Sequence, residues 1–567
     1  MNGNSRKTAA ADMLLVLAFG AIMYLPWLNL PVTDADTAYY TGAARGVVNS
    51  GDWMTIRGSG GGLLDKPPLS IWPIALSYRL WGESDWSTRL WQVGLSIGIL
   101  VLTYLSGRRF FAREQCLLAT LILGTSLLFA YCTMVVQQDI LNLFTYALFF
   151  YAFALFWQTH SAAAYYLAWL ALSLSFMNRW HIALVIPAGV VLACVIAVRM
   201  LGRDDFRIAT LFGSWRSALW RTSFGLAIFA VVGGTWYIYE YLHLGRPFLD
   251  LFFGRRNLAF LQAPGGRPLS WLSVTYLPQL LLATVPWVVF LPDAVATGID
   301  GLRSARRARR TREVDGLLFS SLWCLVAFFV PHVSAWRVIR YLLPVLPPLS
   351  MLTAVSVTRK LQEGKRFAVS AALGAVITAV FVAIDAYLLF ESLDATMRPY
   401  RGLVLPFLLM STVAFAAFTV AALWRRERLA IVSMVILAVA SYSTLFASVS
   451  YKWDQVSPWR SFGLATRSVL QPDTQLAWYR TSGMLPYGVP GEAERVVYEH
   501  YAGRSVPFLG DPSELRDLVA QGPAFIVMRD ETLLGLLETC PGIDLKKIQT
   551  HSTGWVLVLA NSEARSR

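Results

Sequence analysis

The sequence predicts an α-helical, polytopic membrane protein with a small α/β domain at its C-terminal end. Three observations predict it. Of 567 residues, 56% are apolar and only 15% charged, where a soluble domain carries roughly 25%. Apolar runs long enough to cross a bilayer recur as far as Phe446, each near the required length of about 18 residues. From Lys452 onward the composition is that of ordinary soluble sequence. The membrane part is therefore read as 1–450 and the outer domain as 451–567.

The first run, Met13–Asn29, follows Arg6 and Lys7. A signal peptide also starts this way, but Pro26, Trp27 and Pro31 stand where a small-residue cleavage site would be. An uncleaved first span with a cytoplasmic N-terminus is expected. Further runs are Leu90–Leu105, Cys116–Val136, Ile140–Trp157, Ala163–Phe176, Ile182–Val198, Phe224–Leu242, Trp271–Leu291, Leu317–Val330, Tyr341–Val357, Phe367–Phe390, Leu403–Leu423 and Leu429–Phe446. That makes about thirteen spans. Leu69–Trp81 is too short to cross, and its Trp72, Tyr78 and Trp81 suit an interfacial helix.

Charge orders these spans. Basic clusters around Arg109, Arg203, Arg307, Lys360 and Arg426 each follow an even-numbered span, so the positive-inside rule puts them in the cytoplasm. The first long loop (30–89), Asp139, Arg179–His181, the second long loop (243–270), His332–Arg340 and the C-terminal domain then lie outside. The net charge of +14 is thus a topology signal. No long basic face with interleaved aromatics accompanies it, so nucleic acid is not an expected partner. The five cysteines form no C-x-x-C pair, which argues against a disulfide framework or a cysteine metal site.

In the C-terminal part, strand-like Leu476–Tyr479, Phe525–Val527 and Val556–Leu559 alternate with helix-like Ser513–Ala520 and Thr532–Glu538. Asp511, Pro512 and Ser513 read as a helix start. No dinucleotide or phosphate-loop pattern occurs there, so a structural or acceptor-docking role is expected for this domain.

Chemistry concentrates in Thr33–Pro68, which gathers Asp34, Asp36, Asp52, Arg57, Asp65 and Lys66 between apolar segments. Asp36 stands among Thr37, Tyr39 and Tyr40, and Asp139 follows Gln137 and Gln138. Carboxylates on one side of the membrane suit a base, an acceptor-positioning group or a cation ligand. The plainer reading is a solvated loop acid and a helix cap. Lys66 is fixed by Pro67 and Pro68 and, with Arg57, suits a lipid phosphate. The glycine-rich run Gly58–Gly62 reads first as a flexible loop. Other outer basic positions are Arg179 with His181, Arg255 and Arg256 with Asn257, and Arg337 and Arg340 with Tyr341. Outer arginines run against the positive-inside bias. Snorkelling explains any one of them, whereas phosphate binding by guanidinium forks explains the set. Asp385, inside a span, is expected to pair within the bundle.

These residues together resemble a known family. D-T-A-Y-Y from Asp36, S-G-D-W from Ser50, D-K-P-P-L from Asp65 and then Trp72 resemble the first outer loop of bacterial type C glycosyltransferases. This is the branch of the lipid A aminoarabinose transferase and the protein O-mannosyltransferases. Q-Q-D ending at Asp139, F-M-N-R ending at Arg179, F-F-G-R-R-N ending at Asn257 and R-V-I-R-Y-L-L-P-V-L-P from Arg337 follow in the family's order. Thr37, Tyr39, Asp65 and Trp180–His181 depart from its pattern, the last pair standing where a Gly-Pro-like pair is usual.

The resemblance implies the type C glycosyltransferase fold and transfer of a sugar from a polyprenyl-phosphate donor. The acceptor would be lipid A or another envelope glycolipid, at the outer face of a bacterial inner membrane. It implies Asp36 as the catalytic carboxylate with Asp139 in support. Lys66, Arg57, Arg179, Arg256, Arg337, Arg340 and Tyr341 would hold the donor phosphate. Tyr39, Tyr40, Asp65, His181 and Asn257 would line the site. No cofactor is implied with certainty, and a divalent metal stays open. A protein O-mannosyltransferase-like enzyme is the nearest alternative. A lipid-linked-sugar transporter is the next, although the internal repeats such proteins carry are not visible in this sequence.

Overall fold

The computed structural model describes residues 3–57, 66–180, 182–250, 252, 275–307, 310–333, 337–390, 398–457, 459–471, 474–479, 492–551 and 554–562. Their contacts divide the chain into two compact units. One comprises Met1–Asn29, Asp65–Pro73 and Trp86–Ser448; the other comprises Leu30–Leu64, Ile74–Asp85 and Val449–Arg567.

The first unit is a helical bundle. Among the described residues ten helices are long and apolar enough to cross a membrane, or up to twelve if two bent pairs each count as one span. The sequence reading expected about thirteen. The remaining element, Ala162–Arg179, is an 18-residue helix whose polar end, Asn178 and Arg179, lowers its hydropathy. One bend, of 56°, separates Arg113–Gly124 from Leu127–Met134. Backbone groups released inside a membrane need new partners, and here they have them. Leu127 N–H donates to the Val285 carbonyl at 2.8 Å, and the Tyr442 hydroxyl donates to the Thr125 carbonyl at 3.0 Å. The Thr125 hydroxyl accepts from the Trp287 indole at 2.8 Å.

The helix Gln138–Thr159 is apolar on nearly every face and mostly buried, as a central bundle helix must be. It packs along Ala162–Arg179. Its middle carries Phe150, whose ring centroid lies 4.1 Å from that of Trp323. Asp385 does pair within the bundle: it accepts from the Thr412 hydroxyl at 2.6 Å.

The second unit is built on a five-stranded sheet of order β2-β1-β3-β5-β4. The strands are β1 (Gln475–Tyr479), β2 (Phe508–Leu509), β3 (Ala524–Arg529), β4 (Ile543–Thr550) and β5 (Trp555–Ser562). β1 runs parallel to β2 and β3, while β5 runs antiparallel to β3 and β4. Alternate side chains face opposite sides. Leu476 and Trp478 join one core with Tyr498 and Trp555; Ala477 and Tyr479 join another with Leu515 and Leu533. The expected helix start is present, with Asp511 accepting from Ser513 N–H at 2.8 Å and Glu514 N–H at 3.1 Å. β2, β4 and the helices Trp459–Val469 and Glu492–Ala502 are additions that the sequence reading did not contain.

The front of the first long loop folds as a helix, Ala35–Ser50, capped by Asp34 and closed by Gly51 at φ 70°. Its buried face is made mainly of small residues, among them Ala38, Thr41, Gly42, Ala43 and Ala44, so it lacks the bulky apolar stripe by which helices are recognised. The interfacial helix expected at Leu69–Trp81 folds as Trp72–Trp81.

Candidate functional site

In the first unit, Asp139 lies in the first turn of Gln138–Thr159. Its carboxylate is only 4% exposed and pairs with two arginines. Arg179 hydrogen-bonds one oxygen, and Arg340 lies 3.5 Å from the other. Arg340 also donates to Gln137 Oε1 at 2.8 Å. The Arg179 guanidinium stands 5.6 Å from the Tyr341 ring centroid, within cation–π range. The two arginine side chains are 18% and 26% exposed, so both reach open space while their shared anion does not. Among the described residues, these two cations share this one anion.

The local sequence explains these positions. Arg179 ends its helix because Trp180 takes φ 53° and ψ −145°, a region that non-glycine residues rarely enter. A glycine enters it freely, which accounts for the Gly-Pro-like pair usual at this position. The Trp180 ring packs edge-on to Phe252, centroids 5.9 Å apart. Arg340 and Tyr341 belong to a short 3-10 turn, Ile339–Val345, held by Pro344. That turn packs on the Asp139 helix. Arg337 precedes it, its carbonyl 3.5 Å from the Gln279 amide nitrogen. Lys66 is half-buried, and the turn directly after it, Pro68–Ser70, packs against Ala162–Arg179.

In the second unit, the loop acids separate by role. Asp34 accepts from Thr37 N–H at 2.7 Å and from the Thr37 hydroxyl at 2.8 Å; it is a helix cap. Asp52 accepts from Met54 and Thr55 N–H, both at 3.0 Å, closing the S-G-D-W turn. Asp36 is half-buried in the first helical turn, where the helix dipole favours a carboxylate. Tyr40 is buried and Tyr39 half-buried, their rings edge to face at 5.6 Å. Arg57 is exposed. Asp65, His181, Arg256 and Asn257 lie outside the described residues.

Among known proteins, residues 65–213 match the family model described as dolichyl-phosphate-mannose-protein mannosyltransferase. A protein of Aquifex aeolicus is 25% identical over 496 residues, covering 85% of this chain and 87% of its own length. The undecaprenyl phosphate-alpha-4-amino-4-deoxy-L-arabinose arabinosyl transferase of Aeromonas salmonicida is 25% identical over 385 residues, 66% of this chain. The match spans 65% of that enzyme's length, just under two thirds. The crystal structure of ArnT from Cupriavidus metallidurans bound to undecaprenyl phosphate aligns at a TM-score of 0.74 and 17% identity, over 96% of this chain and 97% of that one. The chain shares the fold of that ArnT structure and is similar in sequence to the arabinosyl transferases and, over residues 65–213, to the mannosyltransferase family model. It is a multi-pass membrane protein of that fold.

The donor set at Asp139 does not fit a divalent metal: both carboxylate oxygens face guanidinium groups. Among the described residues no group of three or more His, Cys, Asp or Glu gathers to hold an ion, and no step is derived through one. Two polar groups at the site were not singled out in the sequence. Gln137 Nε2 and Asn178 Oδ1 are buried without a hydrogen bond among the described residues. Leaving a buried polar group unmatched costs about 1–3 kcal/mol, a cost that a polar ligand would remove. The signal for both was adjacency: Gln137 sits two residues before Asp139, and Asn178 immediately before Arg179.

Proposed function

We propose that the protein transfers a sugar from a polyprenyl-phosphate donor to an acceptor of the lipid A kind. Transfer takes place on the periplasmic face of the inner membrane. In this reading the N-terminus is cytoplasmic and the C-terminal domain periplasmic. The observation that carries it is the buried Asp139 carboxylate drawing Arg179 and Arg340 together. Such a cluster suits an anionic ligand far better than a neutral one.

The chemistry follows from that gathering of cations. An acceptor oxygen attacks the anomeric carbon, the bond from that carbon to the donor phosphate oxygen breaks, and the polyprenyl phosphate leaves with the electron pair. Charge grows on the leaving phosphate, and fixed cations there lower the barrier. Arg179, Arg340, Arg337 and Lys66 are the proposed phosphate ligands. Asp139, its oxygens already engaged, orients the arginines rather than taking a proton. Asp36 is assigned to the acceptor. A hydroxyl acceptor needs it as a base; an acceptor phosphate is already ionised and needs only to be oriented.

The arabinosyl transferase named among the relatives supports the lipid acceptor. The mannosyltransferase family description favours a second reading, a protein acceptor. One assay separates them. Purified protein in lipid receives radiolabelled polyprenyl-phosphate sugars, with host lipid A and host protein as acceptors. Label entering lipid A with wild type and lost with Asp36→Ala supports the proposal. Label entering protein moves the assignment to the second reading, and no label in either overturns both.

A further inference from the structure

Resting on that reading, we propose that the C-terminal domain is the positioning device of the catalytic loop, and that Arg45 is the residue through which it acts. The observations lie wholly within the second unit. Arg45 is on the helix Ala35–Ser50 that carries Asp36, nine residues further on and so about 13 Å along the axis. It is 8% exposed, too buried for a solvated surface charge. Its guanidinium donates from Nε to Glu83 at 3.0 Å and from Nη2 to the same carboxylate. It also donates to the Glu499 carbonyl at 3.3 Å and the His500 carbonyl at 2.8 Å.

Those two carbonyls belong to the last turn of Glu492–Ala502, where the helix dipole is negative; the Glu499 carbonyl also accepts from Gly503 N–H at 3.0 Å. Arg45 therefore caps a C-terminal-domain helix from the outside. A planar fork serves Glu83 and the helix end together; a lysine ammonium does not reproduce that geometry. His500 closes the cluster, its Nδ1 3.3 Å from Glu83.

A second set of contacts holds the front of the same segment. The Tyr501 hydroxyl accepts from Val32 N–H at 2.6 Å and donates to Asp85 at 3.2 Å. Val32 and Ala38 belong to the hydrophobic core formed by Trp459, Trp478, Tyr498 and Trp555. Asp36 thus lies between two core residues of the C-terminal domain in sequence, with Arg45 clamping the far end of its helix. A carboxylate that must meet an acceptor within a fraction of an ångström needs such support.

The test is Arg45→Gln in the full-length protein, read by transfer kinetics and by backbone hydrogen exchange. Turnover is expected to fall at least tenfold while donor KM stays within twofold, because the proposed donor ligands lie elsewhere in the chain. Exchange of 35–50 is expected to quicken at least tenfold while β3 and β5 keep their protection. Arg45→Lys should not rescue. Should Arg45→Gln fail to fold, Tyr501→Phe gives a milder version, with about a threefold loss of turnover expected. Unchanged exchange in 35–50, or quickened exchange with unchanged turnover, would overturn the proposal. Should wild type transfer no sugar, the proposed function falls alone. The exchange measurement then still decides the clamp, quickened exchange upholding it and unchanged exchange overturning it.

Discussion

Among the described residues, two of the buried ionic clusters are built from the same residue types and balanced differently. In the bundle, one carboxylate, Asp139, serves two arginines, Arg179 and Arg340. In the second unit, one arginine, Arg45, serves one carboxylate, Glu83, and spends its other donors on two carbonyls. A third network, at the other end of the Asp139 helix, is balanced like the second. Arg203 and Arg310 share Asp205 and Asp315, beside a cavity of about 510 Å³ that these acids and Arg310 help to line. Burying charge is expensive unless it is matched. A matched cluster fixes structure. The Asp139 cluster is proposed to take up an oppositely charged ligand as well.

The largest effect should come from removing the anion that the two arginines share. Asp139→Ala leaves two arginines facing each other and is expected to destabilise the bundle by about 3–5 kcal/mol. Turnover should drop roughly a hundredfold or more, by the same reckoning. Thermal unfolding and single-turnover transfer measure the two. A variant with near-normal transfer would mean that Asp139 does not organise the site.

Next comes a cation at the same place. Arg179→Gln removes one charge-assisted contact, worth about 1.5–3 kcal/mol, and should raise donor KM roughly tenfold or more by that figure. An effect confined to stability would make this cluster a matched one after all.

The matched cluster should instead report pH. At Glu83, burial works against the charge, yet hydrogen bonds from His500 and Arg45 outweigh it and bring its pKa down to about 2. Its contribution is complete above its ordinary 4.5 and is lost as pH falls toward about 2. Burial holds His500 below its ordinary 6.5 despite Glu83 and Asp85, with Arg45 acting in the same direction as burial. The unfolded chain then takes up the proton first, so stability falls as pH drops below 6.5. Hydrogen exchange in 35–50 should therefore quicken as pH falls below 6.5, after correction for intrinsic rates, and His500→Gln should remove the upper part of that trend. A flat profile would remove His500 from the cluster's balance.

The smallest effect belongs to a residue outside all three clusters. Asp511→Ala removes an exposed helix cap and should slightly lower thermal stability with turnover unchanged. A loss of turnover would give the sheet face a role that the comparison denies it.

What was legible in the sequence follows the same physics. Arg179, Arg337 and Arg340 stood out because arginine on the outer side runs against topology. Asp139 stood out because an acid at a span end needs a reason. Asp511 was legible because capping is local, set by the residues immediately after it. The Arg45 cluster was not legible, because its members are separated by 38 and 455 positions and no local pattern joins them. The helix Ala35–Ser50 was hidden by its small buried face, although Asp34 and Gly51 mark both ends. Trp180 was noted as a departure from a Gly-Pro-like pair, and its backbone at φ 53° lies where glycine is favoured; nothing in the structure explains the tryptophan. Gln137 and Asn178 were missed because adjacency to Asp139 and Arg179 is a weak signal until burial is known.

The claim beneath the proposed function is that the arginines gathered at Asp139 hold a lipid phosphate. Binding of undecaprenyl phosphate to full-length protein in detergent tests it most directly, comparing wild type, Arg179→Gln and Arg340→Gln. The account expects saturable binding by wild type, weakened at least tenfold in each variant and more in the double variant, with bundle stability retained. Equal binding by all of them would contradict it and leave the arginines as partners of Asp139 alone.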